Sequence, residues 1–302
     1  MILLIDSGNT LVKFGWLDPA TGQRETTPLS LAHDDTANLA DWLDRLPAQP
    51  ARAVGVNVAG RERAQALETH LGRRGCAVRW VTSLDHARGV RNAYDPPGQL
   101  GPDRWVSLIG LSRRLRNAAT SVPAPIVMLA TFGTATTIDT LVPDTIDGAR
   151  PNQWAGGGES GHVERASNPR EWVFRGGLIL PGPAMMRSAL AHGTALLPDA
   201  DGSLAGYPTH TRQAIATGIA AAQAGALVRQ WAVGLEQYGQ PPRVYCAGGG
   251  WPAIEPEARH QIARAQAQAG VEPRPIDWLP TPVLDGLATM ALADVPAPQY
   301  SV

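Results

Sequence analysis

Two cysteines, Cys76 and Cys246, are all that the 302 residues contain. That scarcity excludes a disulfide framework and a four-ligand zinc site, and it points to a reducing compartment, by default the cytoplasm. Charge of one sign is equally lacking: 26 Lys and Arg face 27 Asp and Glu, for a net charge of -1. This balance offers no basic surface to nucleic acid, so small molecules are the expected partners. Long apolar runs are missing too. Met1–Ile5 is cut off by Asp6, falls far short of the about 20 residues of a spanning helix, and lacks a basic lead and a cleavage site. It reads as a buried strand, and no membrane association is expected. GxxxxGK[ST] occurs nowhere, which removes the Walker phosphate cradle. His33, His70, His86, His162, His192, His210 and His260 are not spaced with carboxylates or cysteines as metal ligands are, which argues against metal-hydrolase chemistry. Three phenylalanines accompany nine tryptophans, and the tryptophans read as packing residues.

What is present alternates. The apolar opening runs into an Asp-Ser-Gly-Asn-Thr turn and a second apolar run, Leu11 to Leu17, which predicts a hairpin with a polar tip. Leu39, Trp42, Leu43 and Leu46 recur at helical spacing, Ala53 to Ala59 reads as a buried strand, and Arg61 to Gly72 as a helix. A strand near Ala77 to Val81, a Gly- and Pro-bearing loop and a helix over Trp105 to Leu115 complete the first cycle. A second cycle opens at Pro125 with PIVMLATFGTATTIDTLV, and aligning the two turns sets Gly8 against Gly133, Asn9 against Thr134 and Asp6 against Thr131. That pattern suggests an internal repeat. The expected division is therefore an α/β lobe over 1–119 and another over 120–302. The stretch from Pro143 to Arg175, rich in Gly, Asn, Arg and Glu, reads as a flexible insertion. It contains Gly156, Gly158 and Gly161 in G-x-G-x-x-G spacing, without the flanking strand and helix that would make it a dinucleotide site. A helix from Thr211 to Gln237, a strand over Arg243 to Ala247 and a closing helix near Asp285 to Leu292 are expected beyond it.

Chemistry gathers at two places. A strand ending in Asp6 and followed by Gly8, Asn9, Thr10 and Lys13 puts a carboxylate, backbone amides, a hydroxyl and an ammonium around one tip, a set suited to a magnesium nucleotide. Gly8 would let the backbone approach phosphate, and Asp6 would hold the metal directly or through water. The same residues also make an ordinary polar turn. In NAYDPPGQLGPDRW, prolines deliver Gly101, Pro102, Asp103 and Arg104 to a helix start, a natural anion site. Asp103 reads either as an N-cap or as the acceptor of a hydroxyl proton, and both are compatible. Arg104 offers a fork for carboxylate or phosphate, and Tyr94 is a loop-packing aromatic or a pocket wall. The glycines after Ala247 are a turn before a helix or a floor beneath a purine.

Read in order, IDSGNTLVKFG, YDPPGQLGPDRW, TFGTATTIDTL, FRGGLILPGP and HTRQAIATG resemble the successive signature blocks of type III pantothenate kinases. The resemblance implies two duplicated ribonuclease-H-like lobes of the actin-like ATPase and sugar kinase superfamily, and a homodimer. It implies an enzyme that uses ATP, with Mg2+, to phosphorylate pantothenate, the first step toward coenzyme A. Carried over by position, Asp6, Ser7, Gly8, Asn9, Thr10, Leu11, Val12, Lys13 and Thr134 would bind ATP. Tyr94, Gly101, Pro102, Asp103, Arg104 and Thr211 would bind pantothenate, with Asp103 as proton acceptor. Thr211 also reads as a helix N-cap, while Gly176, Gly177, Pro181 and Gly182 match a backbone-shaping motif. Where many members have an Asp associated with a bound K+ or NH4+, this sequence has Thr131, which puts that cation in doubt. Two alternatives stay open: a superfamily kinase with another hydroxylated acceptor, and a non-catalytic transcriptional accessory protein, since relatives are also described as Bvg accessory factors.

Overall fold

The apolar run at the start of the chain forms a strand, β1 (Ile2–Ser7), whose six residues are all buried. A strand covered on both faces sits centrally in a sheet, and it reads as a continuous rather than alternating apolar run. The computed structural model describes residues 1–117, 124–147 and 171–292. After β1 come β2 (Val12–Leu17), β3 (Leu29–Leu31), α1 (Thr36–Asp44), β4 (Arg52–Asn57), α2 (Arg61–Gly72), β5 (Ala77–Trp80), β6 (His86–Ala87), β7 (Val90–Asn92) and α3 (Pro102–Asn117). Then follow β8 (Val127–Phe132), β9 (Ala135–Pro143), the single turn α4 (Asp144–Asp147), β10 (Trp172–Pro181), α5 (Pro183–Gly193), α6 (Thr211–Tyr238), β11 (Arg243–Ala247), α7 (Trp251–Gln268), β12 (Asp277–Trp278) and α8 (Pro282–Leu292). Two units emerge, Met1–Ala118 with Thr281–Val302, and Ala119–Pro280.

In the first unit the sheet order is β3-β2-β1-β4-β5, antiparallel across β3-β2-β1 and parallel across β1-β4-β5. The strands of the second unit run β10-β9-β8-β11-β12 with the same senses in the same places. The internal repeat suspected from two glycine turns is thus a duplication of a whole sheet, the ribonuclease-H-like arrangement. Leu3, Ile5, Phe14, Leu39, Leu43 and Leu71 form the core of the first unit. Met128, Phe132, Leu227, Trp231, Trp251 and Ile254 do so in the second. Each fully buried side chain of this size contributes about 1.5–3 kcal/mol, so truncating Leu3, which is completely covered, removes several kcal/mol through lost burial and the cavity left behind.

Local signals explain the boundaries. Asp35 caps α1 by accepting from the Asn38 backbone N–H at 3.3 Å. Gly239, at φ 66, closes α6 with its N–H on the Leu235 carbonyl. Arg88 and Gly89 both take positive φ (52 and 71) between β6 and β7, the backbone a two-residue hairpin requires.

Three expectations change. Pro143 and the segment from Trp172 to Arg175, assigned to the insertion, are strand: Pro143 pairs with Trp172, and Leu141 with Phe174. Trp172, Val173 and Phe174 are buried, so an apolar triplet was masked by the polar composition around it. Gly156, Gly158, Gly161 and His162 lie outside the described residues. The closing helix α8, expected in the second lobe, groups with the first unit, where it packs on α3, β1 and β4. Gly110 and Gly286 permit that crossing: a Cβ on Gly110 would stand 2.7 Å from the Gly286 nitrogen, and one on Gly286 would overlap the Val106 carbonyl. Finally, Asp103 and Thr211 are not N-caps. Pro102 and Thr211 open their helices, Asp103 is the second residue of α3, and His210 precedes α6 without a side-chain capping bond.

Candidate active site

Asp6 is the penultimate residue of β1 and is paired across the hairpin with Lys13 on β2. The Asp6 side chain is 13% exposed, and its ammonium partner lies at 4.0 Å, the far limit of an ion pair. Burial, against the pull of Lys13 and with a smaller push from the nearby Asp103 carboxylate, leaves the Asp6 carboxyl raised to about 6. Asp6 is therefore a desolvated anion with too little positive charge beside it. Next to it, the Ser7 hydroxyl is fully buried without a hydrogen-bond partner. A buried anion short of countercharge and an orphaned hydroxyl fit a ligand that brings a cation and polar oxygens.

The turn that follows is tight. The Gly8 N–H donates to the Leu11 carbonyl at 3.1 Å, and a Cβ on Gly8 would stand 3.2 Å from that oxygen. Asn9, Thr10 and Leu11 are exposed at the tip, and Val12 is buried behind it. His33, which the sequence offered no reason to place here, reaches the turn: its Nε2 lies 2.7 Å from the Gly8 carbonyl.

The acceptor loop is pinned by Asn92, also missed in the sequence although it opens the quoted motif. Its buried amide donates to the carbonyls of Leu84 (3.1 Å) and Pro97 (3.0 Å) and accepts from the Tyr94 N–H (3.0 Å). Ser83 adds a bond to the Leu100 carbonyl at 2.7 Å. Gly101 is glycine for a visible reason: a Cβ there would stand 2.7 Å from the Asp103 carboxylate, which folds back over the helix start. Arg104 is 6% exposed, donates to the Tyr94 hydroxyl at 3.1 Å and lies 5.5 Å over the Tyr94 ring. A buried cation stacked and hydrogen-bonded in this way is preorganised for a planar anion.

The second unit has its own turn, Gly133-Thr134, between β8 and β9. Gly182 donates to the Thr134 carbonyl at 2.9 Å, and Gly250 to the Phe132 carbonyl at 2.9 Å. A Cβ on Gly182 would overlap the Gly133 carbonyl, and one on Gly248, at φ 94, would overlap that of Phe132. The glycines after Ala247 lead directly into α7, with the Trp251 N–H on the Gly248 carbonyl at 3.1 Å. They form a turn before a helix. Thr131 stands between Thr137 and Ala247, with no charge of its own at the position aligned with Asp6. Thr211 opens α6 at a shallow depression of about 600 Å³ that Asp201 and His210 also line. Arg187 holds Asp199 at 2.6 Å and also Asp201, fixing the wall of that depression.

The structure thus draws Asp6, Lys13 and Asp103 into one neighbourhood and couples Tyr94 to Arg104, all in the first unit. Thr134 and Thr211 belong to the second. Among the described residues no group of three His, Cys, Asp or Glu side chains forms a metal cage. A single carboxylate beside a phosphate turn is how Mg2+ is usually held, with phosphate and water supplying the other ligands.

A duplicated ribonuclease-H-like sheet with a polar hairpin turn defines the class, the actin-like ATPase and sugar kinase fold. A solved exopolyphosphatase-like protein shares that fold, at a TM-score of 0.50 and 11% identity, over 97% of this chain and 98% of its own. The type III pantothenate kinase model matches residues 2–149 and 170–233. A type III pantothenate kinase of Bordetella bronchiseptica is 49% identical over 98% of this chain and 99% of its own. One of Aromatoleum aromaticum is 38% identical over 84% and 88% respectively. The chain belongs to the type III pantothenate kinase family.

Proposed function

We propose that this chain transfers the γ-phosphoryl group of ATP to the primary hydroxyl of pantothenate, giving 4'-phosphopantothenate, the first step of coenzyme A synthesis. The observation that carries this reading is the Asp6 site: a buried carboxylate short of countercharge, on a glycine turn, with Asp103 close enough to perturb it, in a chain of this family. Mg2+ held by Asp6 supplies charge neutralisation at the phosphates when bound. Ser7, Gly8, Asn9, Thr10 and Lys13 line the phosphates, with Leu11 and Val12 shaping the turn, and Thr134 is the corresponding phosphate residue of the second unit.

Tyr94, Arg104, the Gly101-Pro102 helix start and Thr211 bind pantothenate, with Arg104 facing its carboxylate. Asp103 orients the hydroxyl and takes its proton as the oxygen-phosphorus bond forms and the bond to the ADP leaving oxygen breaks. A carboxylate is a weak base, but in a loose transition state positioning matters more than early deprotonation. The apolar side chains Ile179 (64% exposed), Leu196 (92%) and Tyr207 (96%) on the second unit support a homodimer. No described helix is long and apolar enough to cross a membrane, and the cytoplasm is the compartment that fits.

An ATP-depletion assay with pantothenate, glucose and glycerol tests the reading. Pantothenate alone should be turned over, and Asp103→Asn should lower kcat by about 10²–10⁴-fold. Full activity of the Asn variant would remove Asp103 from the role given to it, and turnover of glucose or glycerol in place of pantothenate would overturn the choice of acceptor.

A further inference from the structure

His33 follows β3, 25 residues after the phosphate turn, yet its Nε2 sits 2.7 Å from the Gly8 carbonyl. A carbonyl only accepts, so Nε2 carries the proton and donates. The Gly8 carbonyl belongs to the same peptide unit as the Asn9 N–H, and in a trans peptide the two point in opposite directions. Holding the carbonyl toward His33 therefore aims the Asn9 N–H away from it, at the exposed side of the turn where Asn9 and Thr10 lie. Gly8 has no Cβ to restrict rotation of that unit, so an unheld peptide here could turn over. The Gly8 N–H is already committed to the Leu11 carbonyl, so the His33 bond fixes the other half of the turn.

We infer that His33 is a positioning residue for the nucleotide: through the Gly8 carbonyl it presets the Asn9 amide as a phosphate donor. This rests on the reading of the Asp6 turn as the ATP site. The imidazole is half-buried, and it lines a cavity of about 280 Å³ walled by Phe14, Leu39 and Leu67.

The test compares His33→Ala and His33→Gln with the wild type in steady-state kinetics, varying ATP and pantothenate separately, with thermal melts as a check on folding. His33→Ala should raise the KM for ATP about tenfold, the worth of one lost orienting hydrogen bond, and leave the KM for pantothenate unchanged. His33→Gln, which keeps a side-chain N–H, should recover most of the loss. An unchanged KM for ATP in His33→Ala would overturn the inference, as would equal impairment of both variants or a parallel rise in both KM values. Binding of Mg2+ and a non-hydrolysable ATP analogue to wild type, measured by calorimetry, separates the layers: no binding there would refute the ATP site itself, whereas binding unaffected in His33→Ala refutes only His33.

Discussion

Replacing Asp6 by Asn should destroy activity and stabilise the protein. The carboxyl is raised from its ordinary value of 3.8 to about 6, chiefly by burial. At about 1.4 kcal/mol per factor of ten, this places a cost of about 3 kcal/mol on keeping it ionised in the folded chain. The sign follows from linkage. Below pH 3.8 the group is protonated in both states and costs nothing; between that value and about 6 the unfolded chain ionises first and stability falls; above about 6 the full cost is present. Asn has nearly the same shape and no charge, but it leaves Lys13 without its partner at 4.0 Å. The pull of Lys13 is already contained in the raised value, so nothing further is subtracted for it. A net gain of about 3 kcal/mol, or about 6–12 °C in Tm, is expected at pH 8, shrinking to nothing near pH 4. Thermal melts across that range, without nucleotide or Mg2+, measure it, and calorimetry should find Mg-nucleotide binding lost. A variant less stable than wild type at pH 8, or a gain that does not change with pH, would refute the reasoning.

Two further outcomes follow from the geometry. Thr131 puts a neutral hydroxyl where the family resemblance implies a carboxylate beside a monovalent cation, so pantothenate phosphorylation should need Mg2+ but respond alike to potassium and sodium at equal ionic strength; strong activation by potassium would sink this. Gly286→Ala should destabilise by about 2 kcal/mol or more, although Ala is the better helix former by about 1 kcal/mol, because the added methyl meets the backbone carbonyl of Val106 rather than a yielding side chain. A denaturant midpoint equal to or above wild type would show that α3 and α8 part easily.

Much of the fold could be read from local pattern. α2 spans Arg61–Gly72 as the spacing predicts, and the β1 run and its turn announce themselves through an unbroken apolar stretch ended by Asp, Gly and Asn. Trp105, Trp172 and Trp231 are fully buried, as expected of packing residues. What stayed hidden is non-local. No periodicity tells α8 to pack on α3, because that contact depends on two glycines 176 positions apart in the chain, Gly110 and Gly286. His33 gives no signal either, since a lone histidine beside two aspartates looks like any solvated loop until the sheet brings it under Gly8. Asn92 opens the stretch NAYDPPGQLGPDRW, but its spacing to Tyr94 is the ordinary one for an Asx turn and does not single it out. Composition misled at Trp172 to Phe174, where glycine and arginine neighbours outweighed three apolar residues that belong to the second sheet.

The return of α8 sets a timetable. The first unit contributes the opening residues of the chain, yet the helix that covers α3, with Leu284, Leu287 and Ala291 buried and Asp285 held by Arg24 at 3.2 Å, leaves the ribosome after the entire second unit. The unit carrying the Asp6 turn is thus begun first and finished last. Until residue 292 is made, the α3 groove, with its glycine floor at Gly110, is an open apolar surface, and a nascent chain stalled anywhere in the second unit exposes it to every other apolar segment nearby.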